Sequence, residues 1–553
     1  MSLKVKYIDV PQGAQEAAQV EGQGQPFSAT SSVASGAQDQ AYATLEPGGW
    51  PLDGSRVIIP DQPQGFWWSA QPSGEDGSFD SPPTLTFSFP SAYTATGLSF
   101  TFWPSTEEWC SRIRVTWYNG NTILFQTNAE PDAPHWTLQK TVESFDRIHI
   151  EFLQTNIPGH FAKIQKIEIG QTYWFGQDEI TAVHIVNEVD PSLSELTIDT
   201  MQIDVHDRNG RALAPQENQR MELYRNDKLF AVQYITESSR QARQFYTFAC
   251  QSAIGLLEDD FLGGIYNAVP VETVLDDILD GFDYELHKNF STKTVTGYLP
   301  ICSRRQALQQ LVFSIGAIVT TQGGSSIRII PLPSVNSTPF LKSEIFQGGK
   351  VETSPRVAKV EVVAHKYTQS AETETLLDAE TISGENVLVT FADPHHSYSI
   401  AGGTITGAGA NWVTITANGE VTLTGKKYLH STTRHTRRNS AATASERNNV
   451  FAAEEATLVH SGNVSDILKR LYEVSQFRQN LTQEVVVTDQ RAGQKVVSEN
   501  PWGELLQGYI TSMESDLTPT GHTASVTILG VEVKFDSFMY SGELYSGDEE
   551  GLI

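Results

Sequence analysis

Short runs in which apolar and polar residues alternate recur along the whole chain. Alternation over about four to eight residues places one face of a β-strand in a core and the other face in solvent. Clear examples are "TLTFSFP", "DRIHIEFLQ", "EITAVHIVNEV", "ELTIDTMQIDVHD" and "TASVTILGVEV". Because 553 residues exceed the size of one typical domain, the pattern predicts a mainly β, multidomain protein.

One segment, "SRRQALQQLVFSIGAIVTTQGGSSIRIIP" at residues 303–331, has helical periodicity instead. Ser303 and Gln306 have the spacing of a capping box, and Gly316 suits a left-handed helix end. The predicted apolar stripe is Leu308, Leu311, Val312 and Ile315. Gly323-Gly324 then predicts a tight turn between two strands. The segment is too rich in Gln, Thr, Ser and Gly to span a membrane, so we expect a small α+β scaffold unit.

Two further helices are predicted. The first begins after Pro270 and ends before Gly281. Its apolar stripe is Val271, Val274, Leu275, Ile278 and Leu279. The second has Asn463 at the capping position. Its apolar stripe is Val464, Ile467, Leu468 and Leu471.

Changes in composition divide the chain into six parts. Residues 1–44 are rich in Gln, Ala, Ser and Gly, and they predict an N-terminal arm or linker. The other expected parts are a β-sandwich at 45–172, a β-domain at 173–262, the α+β helix–hairpin unit at 263–333, a second β-domain at 334–535 with a β insertion near 370–450, and an acidic tail at 536–553.

Tryptophans are concentrated in residues 45–172, among short strands separated by turn residues such as Asn119-Gly120. This pattern is typical of a β-sandwich of the jelly-roll kind. Trp103 and Trp109 flank "PSTEE", a predicted loop, and could stack on sugar rings. The alternative is that these large side chains fill the sandwich core.

The charge balance argues against a nucleic-acid-binding protein. The chain has 66 acidic and 38 basic residues, a formal net charge of −28, whereas gripping phosphates requires Lys and Arg. One basic group, Arg434, Arg437 and Arg438, could meet an acidic partner subunit or a phosphate. The alternative is a solvated loop. No signal peptide and no apolar stretch of membrane length is visible.

No residue pattern points to catalysis. His395 and His396 follow Asp393-Pro394, but further metal ligands at fixed spacing are missing, so an exposed loop is expected. The acidic runs at 258–260 and 547–550 do not create two facing carboxylates. Three separated cysteines, Cys110, Cys250 and Cys302, predict buried free thiols in a reducing compartment. We expect no enzyme activity, no catalytic residue, no metal and no cofactor.

From residue 175 to about 535 the order of segments resembles that of phage tail baseplate hub proteins of the tail-associated kind. The resemblance lies in "ITAVHIVNEVDPSLSELTIDTMQIDVHD", "FYTFACQSAIGLLEDDFLGGIY", the segment at 303–331 and "QNLTQEVVVTDQRAGQKVVSENPWGELLQGYITSMESDLT". The tryptophan-rich part resembles discoidin-like jelly rolls of clostridial-type prophage tail proteins. That likeness lies in "ATLEPGGWPLDGS" and "GFWWSAQPSGEDGSF".

The resemblance implies hub β-barrel domains and a homotrimer around the tail axis that joins the tail tube to the tip. It implies distal tail, tail-tube and tape-measure proteins as partners, and a place in the virion tail or baseplate, assembled in the bacterial host cytoplasm. The jelly roll would contact a host surface glycan or another subunit. The channel wall should be acidic or neutral, because a basic wall would hold DNA. The alternatives are a carbohydrate-binding adhesin and a cell-wall polysaccharide hydrolase.

Overall fold

The computed structural model describes residues 2–533 except 12, 35–39, 60–65, 209, 212, 214, 227 and 519–520. Most of these residues form β-strands in several sheets, so the prediction of a mainly β, multidomain protein is confirmed. The acidic tail expected at 536–553, including the run at 547–550, lies outside the described residues.

The strands and helices follow one another through the N-terminal third as β1 Leu3–Asp9, α1 Ala14–Ala17, β2 Gln19–Glu21, β3 Tyr42–Ala43, β4 Val57–Ile58, β5 Trp67–Pro72, β6 Thr84–Thr101, β7 Arg112–Asn119, β8 Thr122–Ala129, β9 His135–Gln154, β10 Phe161–Ile164, β11 Lys166–Glu168 and β12 Gln171–Phe175. The middle of the chain contains β13 Ile180–Glu188, β14 Thr200–His206, β15 Arg220–Arg225, β16 Lys228–Ala242, β17 Phe245–Gln251, β18 Asp260–Phe261, β19 Gly264–Pro270, α2 Val271–Ile278, β20 Tyr284–Leu286, β21 Thr294–Leu299, β22 Cys302–Ser303, α3 Arg304–Ile315, β23 Ala317–Thr320 and β24 Ile327–Pro331. The last part contains β25 Lys350–Thr353, β26 Lys359–Thr390, β27 His395–Ala408, β28 Trp412–Arg438, β29 Val450–Ala453, α4 Val464–Val474, β30 Gln479–Val486, β31 Lys495–Glu499, β32 Leu505–Leu517 and β33 His522–Glu532.

The tryptophan-rich part is a β-sandwich. Its larger sheet has the order β11-β6-β9-β7-β8, with β2 also on β6, and a β5–β10 pair covers it. Successive side chains of a strand point to opposite faces, and β5 shows the consequence. Trp67 packs on Phe152 in the main core, whereas Trp68 joins a separate aromatic cluster with Phe66 and Trp103. One strand therefore supports two cores.

The expectation of an arm or linker at residues 1–44 is corrected by the structure. Strand β1 lies inside a large sheet, between β12 and β15. The alternation of Leu3, Val5 and Tyr7 buries one face of β1, and Val20 and Val33 pack in the sandwich core. The composition of this segment suggested an arm because most of its residues are polar or small. Its few apolar residues are nevertheless spaced so that they pack into two hydrophobic cores and hold the segment in place.

One twelve-stranded sheet runs through both β-domains that follow the sandwich. Its order is β12-β1-β15-β16-β17-β14-β13-β32-β33-β30-β25, with β31 also paired to β32. The antiparallel pairing of β13 with β32 brings Val183 opposite Leu517 and Glu188 opposite Ser512. Two separate hydrophobic cores, one on each side of this pairing, are thus joined by backbone hydrogen bonds.

The α+β unit follows the sequence pattern closely. The Ser303 hydroxyl accepts a hydrogen bond from the Gln306 backbone N–H (3.2 Å), and the Gln306 side chain accepts one from the Ser303 N–H (3.3 Å). Gly316 ends α3 in the left-handed region at φ 80°. Every predicted stripe residue of α2 and α3 is buried. In the turn only Gly323 takes a positive φ, 75°.

A β insertion extends from the second β-domain. It is the sheet β27-β28-β26-β29, and residues of β26–β28 enclose a core of their own that includes Val413, Ile415 and Leu423. Helix α4 packs beside the root of this sheet, in the core of the second β-domain. Asn463 precedes α4 but does not cap it, because its side-chain amide instead donates to the carbonyls of Leu458 and Ser314.

No helix among the described residues is long and apolar enough to cross a membrane.

Candidate functional site

Trp103 does not offer a stacking face. Its side chain is 1% exposed, and its ring packs against Phe66 and Trp68 at centroid distances of 4.9 and 5.4 Å. The indole N–H donates to the Gln40 carbonyl (3.1 Å). The expectation of a sugar-binding platform is therefore corrected for Trp103: a ring that fills a core has no free face for a sugar.

Trp109 lies half-buried against the main sandwich core, on the other side of the predicted loop. Its indole N–H donates to the Pro131 carbonyl (3.0 Å), and its backbone N–H donates to the Asn156 side chain. The structure does not bring Trp103 and Trp109 together as one surface. A sugar contact by Trp109 alone stays a prediction.

Four buried charged side chains lie between the sandwich strands and two loops: Glu46, Glu108, His160 and Lys163, here called the charge cluster. Lys163 Nζ lies 2.7 Å from a Glu46 oxygen and 2.6 Å from a Glu108 oxygen. The same ammonium lies 4.3 Å from the centre of the Trp68 ring. Opposite charges at these distances satisfy one another, so the charge cluster joins β10 to the loops that precede β4 and β7.

The hydrogen bonds of His160 fix its protonation. Nε2 lies 2.6 Å from the Pro47 carbonyl, which can only accept, and Nδ1 lies 2.8 Å from a Glu108 oxygen. Burial favours the neutral acid form of Glu108, but His160 and Lys163 outweigh it and lower the pKa of Glu108 to about 2. Burial likewise opposes protonation of His160, but Glu108 outweighs it and raises the pKa. His160 is therefore an imidazolium that donates from both nitrogens.

The charge cluster does not fit a metal ion. One ligand atom each from Glu46, Glu108 and His160 lies within 4.8 Å of the others. A cation there would need deprotonated donors. Both His160 nitrogens carry protons, and the Lys163 ammonium already lies against both carboxylates. The two positive and two negative side chains balance without a metal.

The charge cluster holds a surface loop of residues 45–58, here called the apolar loop. Glu46 accepts a hydrogen bond from the Phe161 backbone N–H (2.8 Å), and the Thr44 N–H donates to the Gly49 carbonyl (2.7 Å). Beyond this anchor, large apolar side chains face solvent: Leu45 is 90% exposed and Trp50 is 57% exposed. Leu52, Val57 and Ile58 are also exposed. Several exposed apolar side chains on one anchored loop are a feature typical of contact surfaces.

Sequence reasoning missed both features. Glu46, Glu108, His160 and Lys163 are far apart in the chain and follow no motif spacing. The only available hint was the apolar content of "EPGGWPLDGSRVI", a stretch that otherwise has the Gly, Pro and Asp of a loop. Large apolar residues in a predicted loop indicate a contact surface more directly than tryptophans next to strands.

The basic residues Arg434, Arg437 and Arg438 lie on strand β28, not on a loop. Arg434 pairs with Glu361 (2.8 Å) and Glu454 (2.7 Å) of the same chain. The Arg437 guanidinium lies 3.9 Å from the centre of the Tyr472 ring. All three side chains are exposed to solvent, so the solvated-loop alternative is wrong only in placing them on a loop. Contact of these residues with an acidic partner or a phosphate stays a prediction, and Arg434 would have to share its charge with two carboxylates.

The exposed loop expected for His395 and His396 is also corrected. Both residues begin strand β27, and His395 is buried. Its Nδ1 donates to the Asp393 carbonyl (2.8 Å), and its Nε2 lies 3.0 Å from a Glu374 oxygen. Lys427 Nζ also approaches that Glu374 oxygen (3.2 Å). His395 thus stabilises the insertion by contacts within it. Both of its ring nitrogens already have hydrogen-bond partners.

No family model matches the sequence, and no curated protein matches it. Among solved structures, the fold is similar to the 43 kDa tail protein of prophage MuSo2 from Shewanella oneidensis, with 9% identity and a TM-score of 0.41 over 65% of this chain and 95% of that one. It is similar to a tail protein from Neisseria meningitidis MC58, with 9% identity and a TM-score of 0.39 over 64% and 93%. A family 32 carbohydrate-binding module of NanJ from C. perfringens, solved with galactose, aligns with 31% of this chain and 99% of its own, at 14% identity and a TM-score of 0.19. These scores and identities do not by themselves assign a function to this chain.

Proposed function

We propose that the protein is a structural hub of a phage or phage-derived tail, which joins the tail tube to the tip and carries a jelly-roll module for surface contact. The observation that carries the proposal is the twelve-stranded sheet that passes without a break from one β-domain to the next through β13 and β32. A hydrogen-bonded sheet across two cores resists hinge motion between them. That property suits a part that transmits force, and it agrees with the order of segments that resembles hub proteins.

The proposed hub is a homotrimer around the tail axis, with distal tail, tail-tube and tape-measure proteins as neighbours. The purified full chain should then show a mass three times the 61.0 kDa of one chain in light scattering, and a distal tail partner should add its own mass to this value. Electron microscopy of tail particles should show it at the tip. A chain that stays monomeric and is absent from purified particles would contradict the proposal.

The proposed contact surface of the jelly roll is the apolar loop, and its proposed target is a host surface glycan. Trp50 is exposed enough to lay one face of its indole on a sugar ring. Asp53 and Arg56, also in this loop, supply polar groups for sugar hydroxyls. The charge cluster holds the loop before any ligand arrives, which lowers the entropy cost of binding.

A matched pair of tryptophan variants tests this role. Trp502 lies in the second β-domain, distant in sequence from the sandwich, and is 67% exposed. Trp50→Ala should weaken binding of the full chain to host cell-wall fragments by about tenfold, in line with the loss of one stacking contact of ~1.4 kcal/mol. Trp502→Ala should leave binding unchanged. Equal effects of the two variants would contradict the proposed role of the apolar loop. The proposed homotrimer, which the mass measurement tests, would not be affected by that result.

A further inference from the structure

A cavity of about 500 Å³ lies where the first β-domain, the α+β unit and the second β-domain meet. The first β-domain contributes Arg225 at the end of β15, Asn226 directly after it and the residues that begin β16. The α+β unit contributes the hairpin tip at 321–323, and the second β-domain contributes the segment 487–491 after β30. None of the candidate residues discussed above lines this cavity.

Three residues of the cavity wall carry buried polar atoms with no hydrogen-bond partner in the part of the chain that the structure describes. They are Gln233 Oε1, Gln322 Nε2 and His522 Nε2. Gln233 is 2% exposed and His522 is 4% exposed. Unpaired buried polar groups are rare in folded proteins. Three at one cavity indicate that a polar ligand completes the wall.

The hydrogen bond that His522 already makes determines whether its free nitrogen needs a donor or an acceptor. Arg225 donates to His522 Nδ1 (3.1 Å), and a guanidinium can only donate. The proton of the imidazole is therefore on Nε2. Burial, and then the charge of Arg225, lower the pKa of His522 to about 4, so the ring is neutral near pH 7. His522 and Gln322 thus lack acceptors, whereas Gln233 lacks a donor.

The charges around the cavity favour an anion. Arg491 donates to the Gln322 carbonyl (3.0 Å) at the hairpin tip, and Arg328 donates to the same oxygen. Asp489 already accepts from the hydroxyls of Thr338 and Thr488, and Asp199 from that of Thr321. Arg225, Lys228 and Arg491 line the cavity together with two carboxylates, Asp199 and Asp489, so the wall has a formal excess of one positive charge.

Another part of the wall is apolar. Ile185, Phe230, Val487 and Met513 line the cavity. A ligand that satisfies every part of the wall has a carboxylate to accept, an N–H beside it to donate, and an apolar side chain. These three features occur together in an N-acylated α-amino carboxylate, the group that ends every polypeptide chain.

We propose that this cavity binds the C-terminal residue of a partner polypeptide, with the carboxylate toward His522, Gln322 and Arg491 and the last backbone N–H toward Gln233. The cavity shares no residue with the apolar loop, and the proposal does not depend on the oligomeric state. A negative result for the cavity would therefore leave the proposed hub and the proposed glycan contact untouched.

Three small probes test the chemistry on the unmodified full chain. N-acetyl-leucine carries the carboxylate, the N–H and the apolar group, whereas 4-methylpentanoate lacks the N–H and N-acetyl-leucine methyl ester lacks the charge. In calorimetry or ligand-observed NMR, N-acetyl-leucine should bind about tenfold more tightly than either of the others. No binding of N-acetyl-leucine at concentrations on the order of 10 mM, or equal binding of the ester, would overturn the proposal.

Variants then assign the contacts. Gln233→Leu should remove the preference for N-acetyl-leucine over 4-methylpentanoate, and His522→Phe should weaken both acids. The matched control is Gln483→Leu, because Gln483 is also buried with an unpartnered Oε1 but does not line the cavity. Thermal unfolding confirms that each variant is folded. Unchanged preferences in Gln233→Leu would overturn the assigned geometry.

A last pair of probes separates a polypeptide end from a free acylated amino acid. An N-acetylated tetrapeptide that ends in leucine with a free carboxylate should bind at least as tightly as N-acetyl-leucine, and its C-terminal amide should not bind. Exclusion of the tetrapeptide acid would overturn the polypeptide partner.

Discussion

Replacement of Lys163 by methionine tests whether the charge cluster holds the sandwich together. Methionine keeps most of the length of the lysine side chain but removes the ammonium that lies 2.7 and 2.6 Å from two buried carboxylates. Glu46 and Glu108 would then face each other with only His160 to neutralise them. Loss of one partner of a buried ion pair leaves an uncompensated charge and costs about 3–5 kcal/mol.

The expected loss is large enough to measure in the intact chain. A destabilisation of about 1 kcal/mol lowers the melting temperature of a domain of roughly 150–250 residues by about 2–4 °C. For the sandwich with its flanking strands, a loss of about 3–5 kcal/mol therefore corresponds to a fall of about 6–20 °C. Differential scanning calorimetry should show a lower melting temperature for the transition of the sandwich. Tryptophan fluorescence identifies that transition, because most tryptophans lie in the sandwich. Lys166→Met is the matched control. Lys166 pairs with one carboxylate, Glu168 (2.9 Å), which also has the charge of Lys6 and the hydroxyl of Thr172 close by, so loss of Lys166 should cost less than loss of Lys163.

The pH dependence gives a second measurement on the same cluster. The folded-state pKa of His160 lies above its unfolded value of about 6.5, so the stability from its protonation is present below that value and is lost as pH rises through the folded pKa. Glu108 acts at the other end: its stabilisation is present above its unfolded pKa and is lost as pH falls towards about 2. His160→Gln should abolish the alkaline loss. Equal melting of Lys163→Met and Lys166→Met, or an alkaline loss that survives His160→Gln, would refute the role of the charge cluster.

Three further variants test the fold. Leu311→Asp places a charge on the fully buried face of α3 and should abolish soluble folding of the α+β unit, whereas Lys469→Asp on the exposed face of α4 should not, as soluble yield and melting would show. Gly323→Ala should cost about 1 kcal/mol or more in denaturant unfolding, since its φ is 75° and a Cβ would lie 2.0 Å from the Arg491 guanidinium; Gly324→Ala, with open space around it, should be neutral. Asp9 accepts hydrogen bonds from Thr96 of the sandwich and from Gln219 of the first β-domain, so Asp9→Ala should separate the melting of these two units in calorimetry. A single unchanged transition would contradict its role as a link.

Local features of the fold were predictable from the sequence. Helix α3 is specified by residues within a few positions of one another, and its capping box and final glycine lie where the pattern places them. The same holds for the stripe of α2. The cap of α4 was not predictable, because Asn463 makes its bonds to the carbonyl of Ser314, a residue of another helix. Propensity at a helix end yields to a tertiary contact of this kind.

The candidate site was not predictable because its members meet only in three dimensions. Trp103 and Trp50 look alike in the sequence, and both stand near turn residues. Trp103 is buried because it packs against Phe66 and Trp68, whereas Trp50 is exposed on the loop that Glu46 anchors. Sequence patterns give the period of a strand, but they do not give the pairing of Glu46 with a lysine at position 163.

The path of the chain through the large sheet determines how the β-sandwich is held. The chain enters the sheet as β1, leaves it after Asp9 to form the whole sandwich, and returns at Gln171 as β12, which pairs with β1. Asp9 is buried and accepts hydrogen bonds from Thr96 of the sandwich (2.9 Å) and from Gln219 of the first β-domain (2.7 Å). A module on one flexible linker would sample many orientations. This module has both of its ends on adjacent, paired strands, so the apolar loop keeps a fixed direction relative to the proposed hub.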